Sequence, residues 1–163
     1  MKKLAVLFAL ALLLVPAAFA AGLEIKEIRA SVEYDEAYTY RLEHRDRKGS
    51  SFIPVQNNSI IDVEVLPGSN ITFTLKIENT FSDDDLELKG VFATMTLEDI
   101  DDGADLEEES LEFDLEPGED FRDDVKFSIP LDVDAGTYNT VIVVEGDDKN
   151  GTSHRTEVIQ KHR

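Results

Sequence analysis

The chain has 163 residues, 35 of them acidic and 16 basic, giving a formal charge of -19 at neutral pH, and it contains no cysteine. A polymer this acidic offers no basic face on which nucleic acid or anionic lipid could release counterions, so neither is an expected partner. Without cysteine there is no disulfide framework, thiolate metal site, cysteine nucleophile or lipid-modified cysteine, and apolar packing must supply the stability.

Lys2 and Lys3, the apolar run Leu4 to Val15, Pro16 and the small-x-small sequence Ala18-Phe19-Ala20 follow one another in the order of a Sec-type secretory signal peptide. Pro16 and the alanines divide the apolar stretch, which argues against a spanning helix of about 20 apolar residues. The expected product is therefore a secreted, extracellular or cell-surface protein whose mature chain does not insert into the membrane. Residues 1–20 form the leader helix, and residues 21–163 form one domain. Those roughly 140 residues bury about two thirds of the surface that the unfolded chain exposes.

Short stretches of strict apolar alternation then recur, without long helical periodicity. Leu23 and Ile25 lie on odd positions but Ile28, Ala30 and Val32 on even ones, a change of parity that predicts a bulge or a move between sheets. Residues 35–58 read as a loop or hairpin insertion holding Tyr38, Tyr40 and a basic cluster of Arg41, His44, Arg45, Arg47 and Lys48. Ile61, Val63 and Val65 mark a strand that ends at Pro67-Gly68 and is expected to pair with the next one. There Ile71, Phe73, Leu75 and Ile77 point one way, with Thr72, Thr74, Lys76 and Glu78 pointing the other.

Val91, Ala93, Met95 and Leu97 form another inward row. Leu111, Phe113 and Leu115 make a short one, closed by Pro117-Gly118-Glu119. Phe121, Val125, Phe127 and Ile129 follow, with Asp123 as a flaw in the pattern. Tyr138, Thr140, Ile142 and Val144 form the most apolar late strand, with Val141 and Val143 on its other face, and Asn150-Gly151 signals a hairpin into a last strand around Thr152 to Ile159. Asp134, Gly136 and Tyr138 have the D-x-G-x-Y form of a tyrosine corner, with Thr140 where antibody domains carry cysteine. The fold class is all-β, an immunoglobulin-like antiparallel β-sandwich with Greek-key connections and about seven strands.

The ordered set Val63 to Gly68, Ile71 to Asn79, Leu115 to Glu119, Ile129-Pro130 and Asp134 to Tyr138 resembles the archaeal and bacterial cell-surface Ig-like modules of the CARDB and NEW3 type, often found in surface-layer-associated proteins. The likeness covers about residues 60–159. It implies a seven-stranded Greek-key sandwich with a noncatalytic role in spacing, assembly or adhesion, and its expected partners are other cell-envelope proteins or a second copy. The chain departs from common members in having one module and no evident C-terminal anchor.

Three N-x-S/T sequons, at Asn57, Asn70 and Asn150, are candidate glycosylation sites. Fifteen acidic residues lie between Glu98 and Asp124, with Arg122 the single basic one. Asp99, Asp101, Asp102 and Asp105 around Gly103 are the densest group. They are candidate calcium ligands between end loops of a sandwich, set against the simpler reading of a solvated acidic loop. They do not fit an EF-hand, because Ile100 would occupy an oxygen position. A second run, Asp83 to Asp85, joins them only if both loops share an end of the sandwich. No other cofactor is expected.

The three histidines, His44, His154 and His162, lack H-E-x-x-H spacing, and no G-x-S-x-G elbow or phosphate-cradling glycine loop occurs. A noncatalytic secreted module is therefore expected. A calcium- or carbohydrate-binding extracellular module using the acidic loops is the alternative, and the segment Arg41 to Lys48 is either a docking element for an acidic neighbour or a solvated loop.

Overall fold

The computed structural model describes residues 22–33, 48–53, 58–61, 65–83, 85–134 and 136–162, and of 48–53, 61, 101 and 162 the backbone alone. The leader (residues 1–20), the cluster Arg41 to Arg47 and the sequon asparagine Asn57 lie outside the described residues.

Ten strands are present among the described residues: β1 (Leu23–Glu33), β2 (Lys48–Ile53), β3 (Ser59–Ile61), β4 (Asn70–Asn79), β5 (Leu88–Asp101), β6 (Ala104–Glu109), β7 (Phe113–Leu115), β8 (Asp120–Ser128), β9 (Tyr138–Asp148) and β10 (Ser153–His162). They form a four-stranded sheet ordered β2-β1-β4-β8 and a six-stranded sheet ordered β3-β10-β9-β5-β6, with β7 also on β5. The connections β4–β5, β7–β8 and β8–β9 each cross from one sheet to the other. This is the Greek-key sandwich that the alternation predicts, with three more strands than about seven.

Three departures from the expected arrangement have local causes. Within residues 35–58, β2 pairs antiparallel with β1, so part of the insertion extends the first sheet. The stretch predicted to pair with β4 instead contributes β3, which lies parallel to β10 at the edge of the other sheet. β6 arises because the acidic segment after Asp102-Gly103 turns back as a hairpin on β5.

Alternation sets the core directly. Ile71, Phe73, Leu75 and Ile77 of β4 and Val91, Ala93, Met95 and Leu97 of β5 are all fully buried, as are Ile142 and Val144 of β9. The parity slip in β1 is a bulge: its register on β4 shifts between Ile25 and Glu27, which keeps Leu23, Ile25, Ile28, Ala30 and Val32 all buried. Phe73 and Phe127 meet edge to face at 6.1 Å. Asp123, the flaw in β8, accepts the Leu111 N–H at 2.8 Å. That contact holds the β6–β7 connection beside β8. Leu111 itself is 71% exposed rather than inward-facing, because β7 begins only at Phe113.

Two Pro-Gly turns close the ends. Ser69 N–H bonds Leu66 O and Glu119 N–H bonds Glu116 O, both at 3.0 Å, with Gly68 at φ 76° and Gly118 at φ 78°. Proline followed by a positive φ is a type II turn, which glycine enters without steric cost.

Asn79, fully buried at the end of β4, ties four segments together. Its Nδ2 donates to Leu86 O at 2.9 Å and Leu115 O at 3.0 Å, and its Oδ1 accepts from Phe81 N at 3.1 Å. Its backbone N–H bonds Glu119 O and its carbonyl accepts from Gly118 N. One residue thus holds the β4–β5 loop and the end of β7 through its side-chain amide, and the second Pro-Gly turn through its backbone.

At the same end, Asp148 organises the β9–β10 hairpin: one carboxylate oxygen accepts from Asn150 N at 2.8 Å and Thr152 N at 2.9 Å. The other oxygen lies 3.3 Å from His154 Nε2, and the His154 ring meets Phe81 edge-on at 5.0 Å. The Thr152 N–H above all holds the Asp148 carboxyl below the usual carboxylate range. Burial works against that shift, while Asn150 and His154 add to it.

Replacing Asn79 by Ala is expected to cost about 2–4 kcal/mol in urea unfolding, since buried carbonyls and an N–H lose their partner. Asn79→Asp is expected to be no better at neutral pH, because a carboxylate cannot donate to either carbonyl. For Asp148 the depressed carboxyl contributes stability that is present above the ordinary carboxylate range and is lost as pH falls through the lowered value. The stability gap between the native chain and Asp148→Asn, followed by denaturant titration, should therefore hold at neutral pH and close on acidification.

Candidate functional site

The end of the sandwich away from Asn79 holds the β5–β6 turn and the loop that leads into β9. Asp102 at φ 49° and Gly103 at φ 84° are the two central residues of the β5–β6 hairpin, with Asp101 opposite Ala104. Two consecutive positive φ values make this a type I′ turn, whose twist suits a two-residue hairpin and which Asp-Gly favours. Below it the register shifts between Leu97 and Asp101. Asp99 takes a positive φ of 57° in that bulge, and its N–H is held by Asp105 Oδ1 at 2.8 Å. Three of the four acids picked as calcium ligands therefore have structural work in shaping one hairpin.

Because β5 and β9 are antiparallel neighbours, the β5–β6 turn comes to lie beside the loop that leads into β9. Asp99, Ile100, Asp102 and Gly103 from the first, with Asp132, Asp134 and Tyr138 from the second, line an open cleft of about 230 Å³. Asp105 is not in that lining, and Asp101 contributes described backbone only. Among the described residues, no three carboxylate or imidazole groups converge to hold a metal ion. The other acidic run does not join the cleft. It precedes the 14-residue β5, roughly 40 Å from the hairpin tip at a strand's rise per residue, and Asp85 there pairs with Lys149 at 3.0 Å. Asp132 is the lining residue that the sequence reading passed over. The signal available was topological: antiparallel pairing of β5 with β9 brings the end of one beside the start of the other.

Tyr138 carries the tyrosine corner. Its hydroxyl donates to the Asp134 carbonyl at 2.6 Å, across the loop that passes from β8 in one sheet to β9 in the other. The ring is half-buried and packs on the core. A Cβ at Gly136 would stand 3.4 Å from that ring, at ordinary contact distance. The bond uses the backbone of Asp134, which leaves the carboxylate to the cleft.

Asn70 opens β4 and accepts from Ser128 Oγ at 2.8 Å, whereas Asn150 is exposed at the β9–β10 hairpin tip. Of the histidines, His154 serves the Asp148 hairpin, His162 is described by its backbone, and His44 lies outside the described residues.

No family model and no curated protein matches the chain. Among solved structures it is similar to the ApaA protein from Bordetella pertussis, at 13% identity over 84% of this chain and 89% of that one, with a TM-score of 0.44. It is also similar to the PapD-like domain 7 of human CEP192, at 14% identity over 68% and 83%, with a TM-score of 0.43. A family 123 glycoside hydrolase from Clostridium perfringens matches at 10% identity and a TM-score of 0.43, over 83% of this chain but 27% of the enzyme. Likeness at this level carries no functional argument, and the fold rests on the strand pairings above.

If the tyrosine corner pins the sheet-crossing loop through its hydroxyl, Tyr138→Phe loses one hydrogen bond and little packing. The expected cost is about 0.5–1 kcal/mol in urea unfolding, and an unchanged midpoint would remove the role.

Proposed function

We propose that the chain is an exported, noncatalytic Ig-like module of the CARDB and NEW3 type, with a structural, adhesion or assembly role at the cell surface. The observation that carries this reading is what the residues of the resemblance do. The Pro67-Gly68 and Pro117-Gly118 turns, the strand-ending Asn79 and Tyr138 are joints that close the two sheets on each other. A module whose distinctive residues serve its own rigidity suits spacing and assembly, where shape is the product. Its acidic face keeps unassembled subunits soluble by repulsion.

The decisive test is cellular. Fractionation followed by N-terminal sequencing should find the protein in the envelope or medium, beginning at Ala21, together with envelope proteins that co-purify. An intact leader on cytoplasmic material would end the proposal.

A second reading, calcium or carbohydrate held between the end loops, rests on the cleft that collects Asp99, Asp102, Asp132 and Asp134. Extracellular calcium modules bind in the range of about 0.1–1 mM, and any ligand bound only by the native state raises the melting temperature. The structural reading expects superimposable melts in millimolar calcium and in chelator. A rise in calcium that Asp102→Asn with Asp132→Asn abolishes would favour the second reading.

A further inference from the structure

Edge strands expose rows of unpaired backbone groups, and what they carry decides whether another chain can add to them. β6, at one border of the six-stranded sheet, bears Glu107, Glu108 and Glu109 in succession, so a second copy laid on it meets acid with acid. β8, at the border of the four-stranded sheet, is different: its outward row alternates Asp120, Arg122, Asp124 and Lys126.

The backbone of β8 is arranged to match. The ladder with β4 runs without a register shift, from Asn79 N–H on Glu119 O at one end to Ile129 N–H on Ser69 O at the other. Odd-numbered residues of β8 therefore spend their N–H and C=O groups on β4, and even-numbered residues direct theirs to the open side. The residues with alternating charge are those whose backbone is available.

We infer that β8 pairs antiparallel with β8 of a second copy about a two-fold axis at Asp123, joining two four-stranded sheets into one continuous sheet. The inference rests on the assembly reading above and names its edge and its partner. In this register Asp120 opposes Lys126 and Arg122 opposes Asp124, and the symmetry repeats both pairs. Moving the axis by one residue sets Arg122 against itself and Asp120 against Asp124, or Asp124 against itself and Arg122 against Lys126, so the outward row favours this register even though it places Asp123 opposite its own copy on the inner face.

The side chains leave capacity for the second partner. Asp120 uses Oδ1 on Lys76 at 3.1 Å and Asp124 uses Oδ1 on Thr74 at 2.6 Å. The second oxygen of each has no partner among the described residues. Arg122 gives Nη2 to Glu27 at 2.6 Å and keeps its other donors, and Lys126 has no carboxylate partner among the described residues. Asp123 meets its own copy on the opposite face, where the Leu111 N–H already engages each carboxylate. Leu111, 71% exposed on so charged a protein, stands beside this axis, and the second copy covers it.

Sedimentation of the full chain over a concentration series tests the pairing. The native chain is expected to show a monomer–dimer equilibrium. Arg122→Asp with Lys126→Asp, which makes the row all acidic, and Asp120→Lys with Asp124→Lys, which makes it all basic, should each sediment as monomers. An equimolar mixture of the two should restore the dimer. Asp124→Pro removes an N–H that faces away from β4, so it should keep a cooperative melt and lose the dimer. A native chain that stays monomeric at every concentration, a dimer that survives in the all-acidic variant, or a mixture of folded variants that does not associate would each overturn the inference. None of these outcomes bears on where the cell puts the protein. Fractionation decides that separately.

Discussion

Two sheets with no disulfide between them must be held by what they bury, and here one end of the interior closes around a single buried asparagine. The inward rows of β4, β5 and β9 supply the non-directional part of the attraction, which fixes that the sheets close but not how their ends meet. Asn79 supplies direction. Its side chain reaches from the end of β4 to carbonyls of Leu86 and Leu115, on segments that belong to the opposite sheet. A buried amide is costly unless fully partnered, so this arrangement has one satisfactory geometry and the loops must adopt it. The entry to β5 and the end of β7 take their positions from that constraint, and the Asn79 backbone holds the second Pro-Gly turn beside them.

The two ends of the sandwich differ as a result. The Asn79 end is bonded through side chains at every loop, including the Asp148 carboxylate that caps the β9–β10 hairpin. The opposite end is shaped more by backbone conformation, through a type I′ turn, a bulge at Asp99 and the Tyr138 hydroxyl on a main-chain carbonyl. Asp99, Asp102, Asp132 and Asp134 line the cleft at this end.

Charge is spread unevenly over the same frame. The excess of acid collects on β6, its hairpin and the loops, whereas the outer face of the four-stranded sheet interleaves both signs, with Lys26 on Glu24, Arg122 on Glu27 and Lys76 on Asp120. Exposed ion pairs of this kind add little to stability. Their effect is on encounter, because a face that mixes both signs repels an acidic neighbour less than β6 does.

Alternation along the chain was enough to assign the fold class and the inward residues of β1, β4, β5 and β9 and to narrow the parity slip in β1 to a bulge or a move between sheets, while the D-x-G-x-Y spacing marked the tyrosine corner. Each of these depends on residues within a few positions of one another, where a two-residue period or a turn dipeptide has a direct steric meaning. Asp102-Gly103 was legible in principle as a hairpin, but its acidic neighbours drew attention to their charge instead. Other features were beyond a local reading. The pairing of β3 with β10, the exposure of Leu111, the bond from Leu111 to Asp123 and the meeting of Asp132 with Asp99 join residues far apart in the chain. Sequence by itself determined which faces are apolar, because side-chain period follows from strand geometry. Only the tertiary structure decided which edges stay open and which acids share an end, because strand order is set by competition among pairings of similar local merit, settled when the whole core closes.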